Sequence, residues 1–242
     1  MIGETIENQE VSFKVIKKLT GENRPNADIY LCEDANGKKY IAKHFYGSSP
    51  RENLGLNLYN HYGRRREGSE LVFGEINRIQ DTYDFIVKHL HRIKHKGKVV
   101  VIIEHIEGIL FSEFLSQNWD TNPKKVEIGV IALAEILTEW HTNGFAQGDP
   151  HLDNVIIQEV APGKFKAYII DYSQIHHRSF KYCDRFDCFN SDPLRRINED
   201  LGNDIGKVGS GFRYGLIDFE TAKGIAPALT EIFDKHYITL NT

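Results

Sequence analysis

The sequence of 242 residues is poor in cysteine, with three in total, and it lacks long apolar runs. An odd number of cysteines without zinc-like spacing argues against a disulfide framework, so we expect reduced thiols. No apolar run approaches the ~20 residues that a membrane-spanning helix needs. The opening residues MIGETIENQEVSF contain no basic segment followed by an apolar one, so no export signal is predicted. We therefore expect a cytoplasmic protein.

The chain also lacks an excess of positive charge. Its formal net charge is −4, and its isoelectric point is near 6.3. Such a balance argues against nucleic acid as a partner, and it means that any phosphate-binding site must supply its cations locally. With 40% hydrophobic and 26% charged residues, the composition is that of a folded globular protein.

The order of sequence patterns predicts an α+β protein of two lobes. Residues 10–46 and 84–106 contain strand-like runs joined at Asn36-Gly37 and at Lys96-Gly97-Lys98, which predicts an antiparallel sheet of about five strands in a first lobe, residues 1–106. Apolar residues at spacings of three and four predict a helix from Pro123 to His141. We expect a mainly helical second lobe, residues 107–242.

The segment GFAQGDPHLDNVII carries the strongest chemical pattern. Phosphoryl transfer needs a carboxylate that orients the attacking hydroxyl and accepts its proton, and a neutral oxygen ligand for magnesium nearby. Asp149 fits the first role, and Asn154, five positions on and directly before a strand, fits the second. The apolar run AYII then delivers Asp171, a second magnesium ligand. The sequence thus predicts an ATP-dependent phosphotransferase with magnesium.

Residues upstream complete the predicted nucleotide site. Lys43 in YIAKHF stands on a strand and could reach the nucleotide phosphates, although a lysine on such a strand is more often a solvated face residue. A helical glutamate would steady Lys43, and we favour Glu75 over Glu67 and Glu70. We expect backbone groups near Glu104, His105 and Ile106 to bind the adenine, with Glu104 and Ile106 as the chosen residues.

Two residues, Gly21 and His151, fit the phosphotransferase prediction less directly. Gly21 stands alone where a kinase would have a glycine-rich phosphate-binding loop. The sequence therefore predicts a turn there but no glycine-rich loop. His151 could act as a base, but we assign it a structural role, because phosphoryl transfer depends mainly on positioning and electrostatics.

The segments QGDPHLDNVII, AYIIDYSQ, VVVIIEHIEG and YIAKHF resemble the lipopolysaccharide core heptose kinases of Gram-negative bacteria, of the heptose II kinase type. The resemblance implies a two-lobed protein-kinase-like fold with a small antiparallel-sheet N-lobe and a mainly helical C-lobe. It also implies ATP and Mg²⁺ as cofactors, a core heptose of the lipopolysaccharide glycolipid as acceptor, and a place at the cytoplasmic face of the inner membrane. Carried over by position, the resemblance implies that Asp149 is the acid-base residue, that Asn154 and Asp171 bind metal, and that Lys43 contacts phosphate.

Other functions stay open at this point. A protein kinase, including a bacterial effector, would use the same residues, but the sequence after Asp171 contains no Ala-Pro-Glu segment. A small-molecule kinase is a third alternative, supported by the acidic residues Glu199, Asp200 and Asp204. A catalytically silent binding module belongs to a different class. The basic stretches Arg64–Arg66 and Lys88–Lys98 are compatible with peripheral contact with an anionic membrane, although solvated surfaces explain such stretches more often.

Overall fold

The computed structural model of the protein describes residues 1–19, 27–45, 77, 80–146, 152–170, 176–177 and 219–237. The chain divides into two compact units, of which the first contains Met1–His105 and the second begins at Ile106. The two units are built on different sheets.

The first unit contains a six-stranded antiparallel sheet in the order β1-β2-β3-β4-β6-β5. One more strand is present than the sequence predicts, because the short β1 precedes the predicted set. The strands are β1 (Thr5–Glu7), β2 (Ser12–Lys18), β3 (Ala27–Glu33), β4 (Lys39–Phe45), β5 (His89–His95) and β6 (Lys98–Glu104).

Local turn chemistry explains two of the hairpins. Gly37 has φ +77° in the β3–β4 turn, and the preceding Asp34 accepts the backbone N–H groups of Asn36 and Lys38. Between β5 and β6, Lys96 has φ +49° and Gly97 has φ +80°. Two consecutive positive φ angles are those of the tight turn whose twist matches antiparallel strands. Both predicted hairpins are confirmed.

The sheet curls into a nearly closed barrel because its edge strands β1 and β5 approach each other. Glu4, directly before β1, binds Lys96 Nζ at 2.7 Å and lies 3.4 Å from His95 Nε2. One face of every strand fills the interior, as the alternation of side chains along strands requires. The interior consists of buried apolar residues: Ile6, Phe13, Val15, Tyr30, Cys32, Ala42, Ile93, Val100 and Ile102.

The second unit combines short sheets with helices. The helices are α1 (Phe111–Asn118), α2 (Pro123–Thr142) and α3 (Phe219–His236), and a 3₁₀ turn spans Leu152–Asn154. The strands are β7 (Ile109–Leu110), β8 (Phe145–Ala146), β9 (Val155–Ala161), β10 (Lys164–Ile169) and β11 (His176–His177). They form a three-stranded sheet, β10-β9-β7, and a two-stranded sheet, β11-β8.

Helix α2 organises the second unit, and its prediction from the sequence is confirmed. It begins with Pro123 at a first-turn position, where the missing N–H costs nothing, and Asn122 caps it by accepting the N–H of Lys125 at 3.1 Å. Its buried face includes Trp140, which is fully buried. Helix α3 packs on α2, and Tyr237 at its end hydrogen-bonds the buried His141 at 2.5 Å.

The expected two-lobed protein-kinase-like fold, with a small sheet lobe and a mainly helical second lobe, is wrong. Strands hold more of the described residues than helices do, and within those residues the chain has eleven strands and three α-helices. The sheet of the first unit is a six-stranded, nearly closed barrel. Five strands, β7 to β11, lie in the described part of the second unit, which is therefore not the mainly helical lobe that was expected.

Across the described ranges, no helix is both long enough and apolar enough to cross a membrane.

Candidate functional site

Several predicted site residues lie outside the described residues: Asp149, Asp171, Glu75, Glu67, Glu70, His151 and Gly21. The structure describes the other four predicted residues. Lys43 and Glu104 belong to the first unit, and Ile106 and Asn154 belong to the second.

Asn154 ends the 3₁₀ turn and directly precedes β9. The following chain forms the β9–β10 hairpin, in which Val155 pairs with Ile169. One step beyond that pair, Ile170 donates its backbone N–H to the carbonyl oxygen of Asn154 at 3.0 Å. Asp171, the next residue of the chain, lies outside the described residues. The hairpin therefore brings the predicted metal ligand Asn154 beside the residue that precedes the other one.

The residues around Asn154 are anchored as well. Leu152 is 3% exposed and packs in the core of the second unit. Asp153 is exposed, and its Oδ1 accepts a hydrogen bond from Ser112 Oγ at 2.5 Å. This contact was not predicted, because Ser112 and Asp153 are 41 positions apart. The only signal in the sequence was the position of Asp153 directly before Asn154.

Lys43 lies on β4, an interior strand of the barrel. Its register partners are Ile29 on β3 and Val101 on β6, so its neighbours across both strands are apolar. Because the adjacent Ala42 is fully buried in the barrel interior, Lys43 faces the other side of the sheet. Lys43 is half-buried, and its Nζ lies 5.7 Å from the centre of the Phe45 ring.

Glu104 and Ile106 lie where β6 ends. The backbone N–H of Glu104 donates to Lys88 O at 2.8 Å, and its carboxylate accepts the N–H of Lys88 at 3.3 Å. The backbone N–H and the carboxylate of Glu104 thus both hold Lys88 at the end of the sheet. Ile106 follows the last residue of β6 by two positions.

A group of polar side chains with perturbed pKa values surrounds Asp28 in the barrel. Lys18 Nζ is 2.6 Å from Asp28 Oδ1, and Tyr30 donates its hydroxyl to Asp28 Oδ2 at 3.2 Å. Burial raises the pKa of Tyr30 to about 12, and the negative charge of Asp28 adds to the effect. Burial also lowers the pKa of His44, which pairs with Asp28 across the strands. Asp28 is thus the shared partner of Lys18 and Tyr30 in this group.

The metal prediction depends on Asn154 together with Asp171. Among the side chains that the structure describes, no three of histidine, cysteine, aspartate or glutamate are grouped to hold a metal ion. The predicted pair consists of one amide and one carboxylate, the hard oxygen ligands that magnesium prefers alongside substrate phosphates. The donor chemistry therefore fits magnesium.

No protein-family model matches the chain, and no curated protein matches it either. The functional argument consequently depends on the residues of the chain and their geometry.

Proposed function

We propose that this protein is a phosphotransferase that uses Mg-ATP to phosphorylate a hydroxyl group. The observation that supports the proposal most directly is the hydrogen bond from Ile170 N to Asn154 O at 3.0 Å. It closes the β9–β10 hairpin so that Asn154 and the residue before Asp171 are neighbours. Two oxygen ligands can share one magnesium ion only if the fold delivers them together.

Each residue has a separate role in the proposed reaction. Asn154 and Asp171 hold the metal, and magnesium, when bound, neutralises charge on the nucleotide phosphates. Asp149 orients the acceptor hydroxyl and accepts its proton as the bond from that oxygen to the γ-phosphorus forms. The bond to the β-phosphate oxygen breaks, and ADP leaves. This chemistry needs positioned charges more than a strong base.

Lys43 supports the nucleotide part of the proposal. Lys43 is half-buried, and its register partners on both adjacent strands are apolar. Phosphate oxygens interact more strongly with a half-buried cation than with one in open water. In the proposed reaction Lys43 contacts the phosphates of ATP.

For the acceptor we propose a heptose of the lipopolysaccharide inner core, which is what the sequence resemblance implies. The hairpin of β5 and β6 adds a physical argument, because Lys94 is exposed there. Basic residues beside an anionic membrane surface contribute roughly 1 kcal/mol each, an attraction that salt weakens. A protein that phosphorylates a glycolipid would use such an attraction for peripheral contact with the inner membrane.

The test uses the purified chain and ATP labelled in its γ-phosphate. Acceptors are core glycolipid without heptose phosphate, casein as a protein substrate, and a free aminoglycoside. We expect magnesium-dependent labelling of the glycolipid well above the other two. Preferential labelling of casein would support the protein-kinase alternative, and labelling of the aminoglycoside would support a small-molecule kinase. If ATP were neither bound nor turned over with any acceptor, the phosphotransferase proposal itself would be wrong.

Asp120→Ala is a matched control for Asp149→Ala in this assay. Asp120 is an exposed carboxylate in the second unit, between α1 and α2. We expect Asp120→Ala to label the acceptor as the wild type does, whereas Asp149→Ala does not. Equal loss in both variants would assign the effect to general damage rather than to the proposed role of Asp149.

A further inference from the structure

The 3₁₀ turn that carries Asn154 is held at each of its three residues by a different part of the second unit. Leu152 packs in the core, where it is 3% exposed. The carboxylate of Asp153 accepts a hydrogen bond from the hydroxyl of Ser112 on helix α1. The backbone carbonyl of Asn154 accepts a hydrogen bond from the N–H of Ile170 at the end of β10. Core packing and the backbone bond do not depend on a polar side chain. The Ser112–Asp153 hydrogen bond depends on two polar side chains, and deleting the hydroxyl oxygen of Ser112 removes it.

Ser112 is itself firmly placed. It follows Phe111, which is fully buried, and Phe111 follows β7, whose residues Ile109 and Leu110 pair with Ile157 and Ile156 of β9. The same strand β9 begins directly after Asn154. The Ser112 hydroxyl is therefore tied to the strand that leaves the 3₁₀ turn, and through Asp153 it is tied to the turn itself.

We propose that Ser112 is a positioning residue for the metal ligand Asn154, acting through Asp153. This inference rests on the proposed function, because it assigns Asn154 to magnesium. The carboxylate of Asp153 lies one residue from a predicted ligand, so a rotation of the turn would move both. The bond from Ser112 holds Asp153 on the side of α1 and thereby limits the orientations of the Asn154 side chain. Outer groups that orient a metal ligand influence metal affinity without touching the ion.

The variants Ser112→Ala, Ser112→Thr and Ser116→Ala separate this role from a general effect on α1. Ser112→Ala removes the hydroxyl, and Ser112→Thr keeps it. Ser116 lies on the same helix, but its hydroxyl donates to the backbone oxygen of Glu113 at 2.9 Å, within α1. It is therefore the matched control.

The first measurement is the affinity of the full chain for Mn²⁺ in the presence of a non-hydrolysable ATP analogue, followed by the paramagnetic signal of the ion. We expect Ser112→Ala to weaken Mn²⁺ binding by about tenfold, the low end of the usual cost of losing an outer group around a metal. Ser112→Thr should restore most of the affinity, and Ser116→Ala should match the wild type. Because the bond is exposed, the melting temperature should change by no more than about 3 °C.

The second measurement does not use the metal. Amide hydrogen exchange in Leu152–Asn154 reports the opening of the turn directly. We expect faster exchange there in Ser112→Ala than in Ser116→Ala, with no change in β2 or β3 of the first unit.

The outcomes distinguish this inference from the proposed function. Wild-type Mn²⁺ affinity in Ser112→Ala would overturn the positioning role alone. A loss of affinity that Ser112→Thr fails to restore would also overturn it, since the hydroxyl would then not be the cause. A wild-type protein that binds no Mn²⁺ with the nucleotide analogue would overturn the proposed function and, with it, this inference.

Discussion

The carbonyl oxygen of Asn154 accepts the backbone N–H of Ile170 at 3.0 Å, although fifteen residues separate the two positions in the chain. The β9–β10 hairpin explains the contact, because it returns the chain to the point where it left the 3₁₀ turn. The hairpin alone thus brings the proposed metal ligand Asn154 beside Ile170. The two acidic positions Asp149 and Asp171 can then be tested for separate roles.

Asp171→Ala should abolish magnesium-dependent nucleotide binding, whereas Asp149→Ala should bind nucleotide almost normally and lose turnover. The reason is that Asp171 would hold the ion, while Asp149 would act on the acceptor hydroxyl. Calorimetric titration with Mg-ATP measures binding, and transfer of the labelled phosphate measures turnover. Asp120→Ala serves as the control. Equal loss of binding in both variants would contradict the assignment of roles.

Lys43→Met should reduce turnover by at least about tenfold and leave the fold intact. Methionine keeps most of the side-chain volume beside Ile29 and Val101 and removes only the charge that would act on phosphate. Steady-state kinetics and thermal unfolding are measured together. Lys39→Met, an exposed position on the same strand, is the control. A melting temperature lowered by many degrees in Lys43→Met alone would make Lys43 structural.

Gly129→Ala should destabilise the protein by about 1–3 kcal/mol, although alanine normally favours a helix over glycine. Gly129 is buried in α2, and a Cβ atom there would overlap the ring of Phe114 on α1. Denaturant unfolding measures the change. The double variant Gly129→Ala with Phe114→Leu should recover part of the loss, because the smaller side chain relieves the overlap. A stabilising Gly129→Ala would show that the two helices can separate without cost.

Glu4 should make the barrel closure sensitive to acid. Hydrogen bonds from Lys96 and then from His95 lower the pKa of Glu4 from 4.5 to about 2. Since the pKa of the folded state lies below that of the unfolded chain, the stabilisation is present above pH 4.5 and is lost as the pH falls towards 2. Glu4→Gln should therefore lower the melting temperature at pH 7 and make little difference near pH 2.

Thermal unfolding across that pH range is the measurement for Glu4, and Glu7→Gln, an exposed glutamate on β1, is the control. A difference between Glu4→Gln and the wild type that stayed constant down to pH 2 would show that the carboxylate charge is not responsible.

Sequence patterns predicted the local elements of this chain well. The hairpin at Asn36-Gly37, the turn at Lys96-Gly97 and helix α2 are all present, because each depends on residues close together in the chain. The short strand β1 and helix α1 were not predicted. Three residues give too little alternation to recognise β1, and it forms because it pairs with β2 and approaches β5.

For the candidate site, the sequence by itself determined which residue types could perform the chemistry and that Asn154 directly precedes a strand. It also determined that Lys43 lies on a strand. Only the tertiary structure decided that Ile170 meets Asn154, that Lys43 faces away from the barrel interior, and that Ser112 binds Asp153. These relationships join residues far apart in the chain, and they depend on strand register and element packing, which short-range periodicity does not encode. Tertiary contacts also decided that the first unit is a nearly closed barrel, since the barrel closes through contacts between its first and fifth strands.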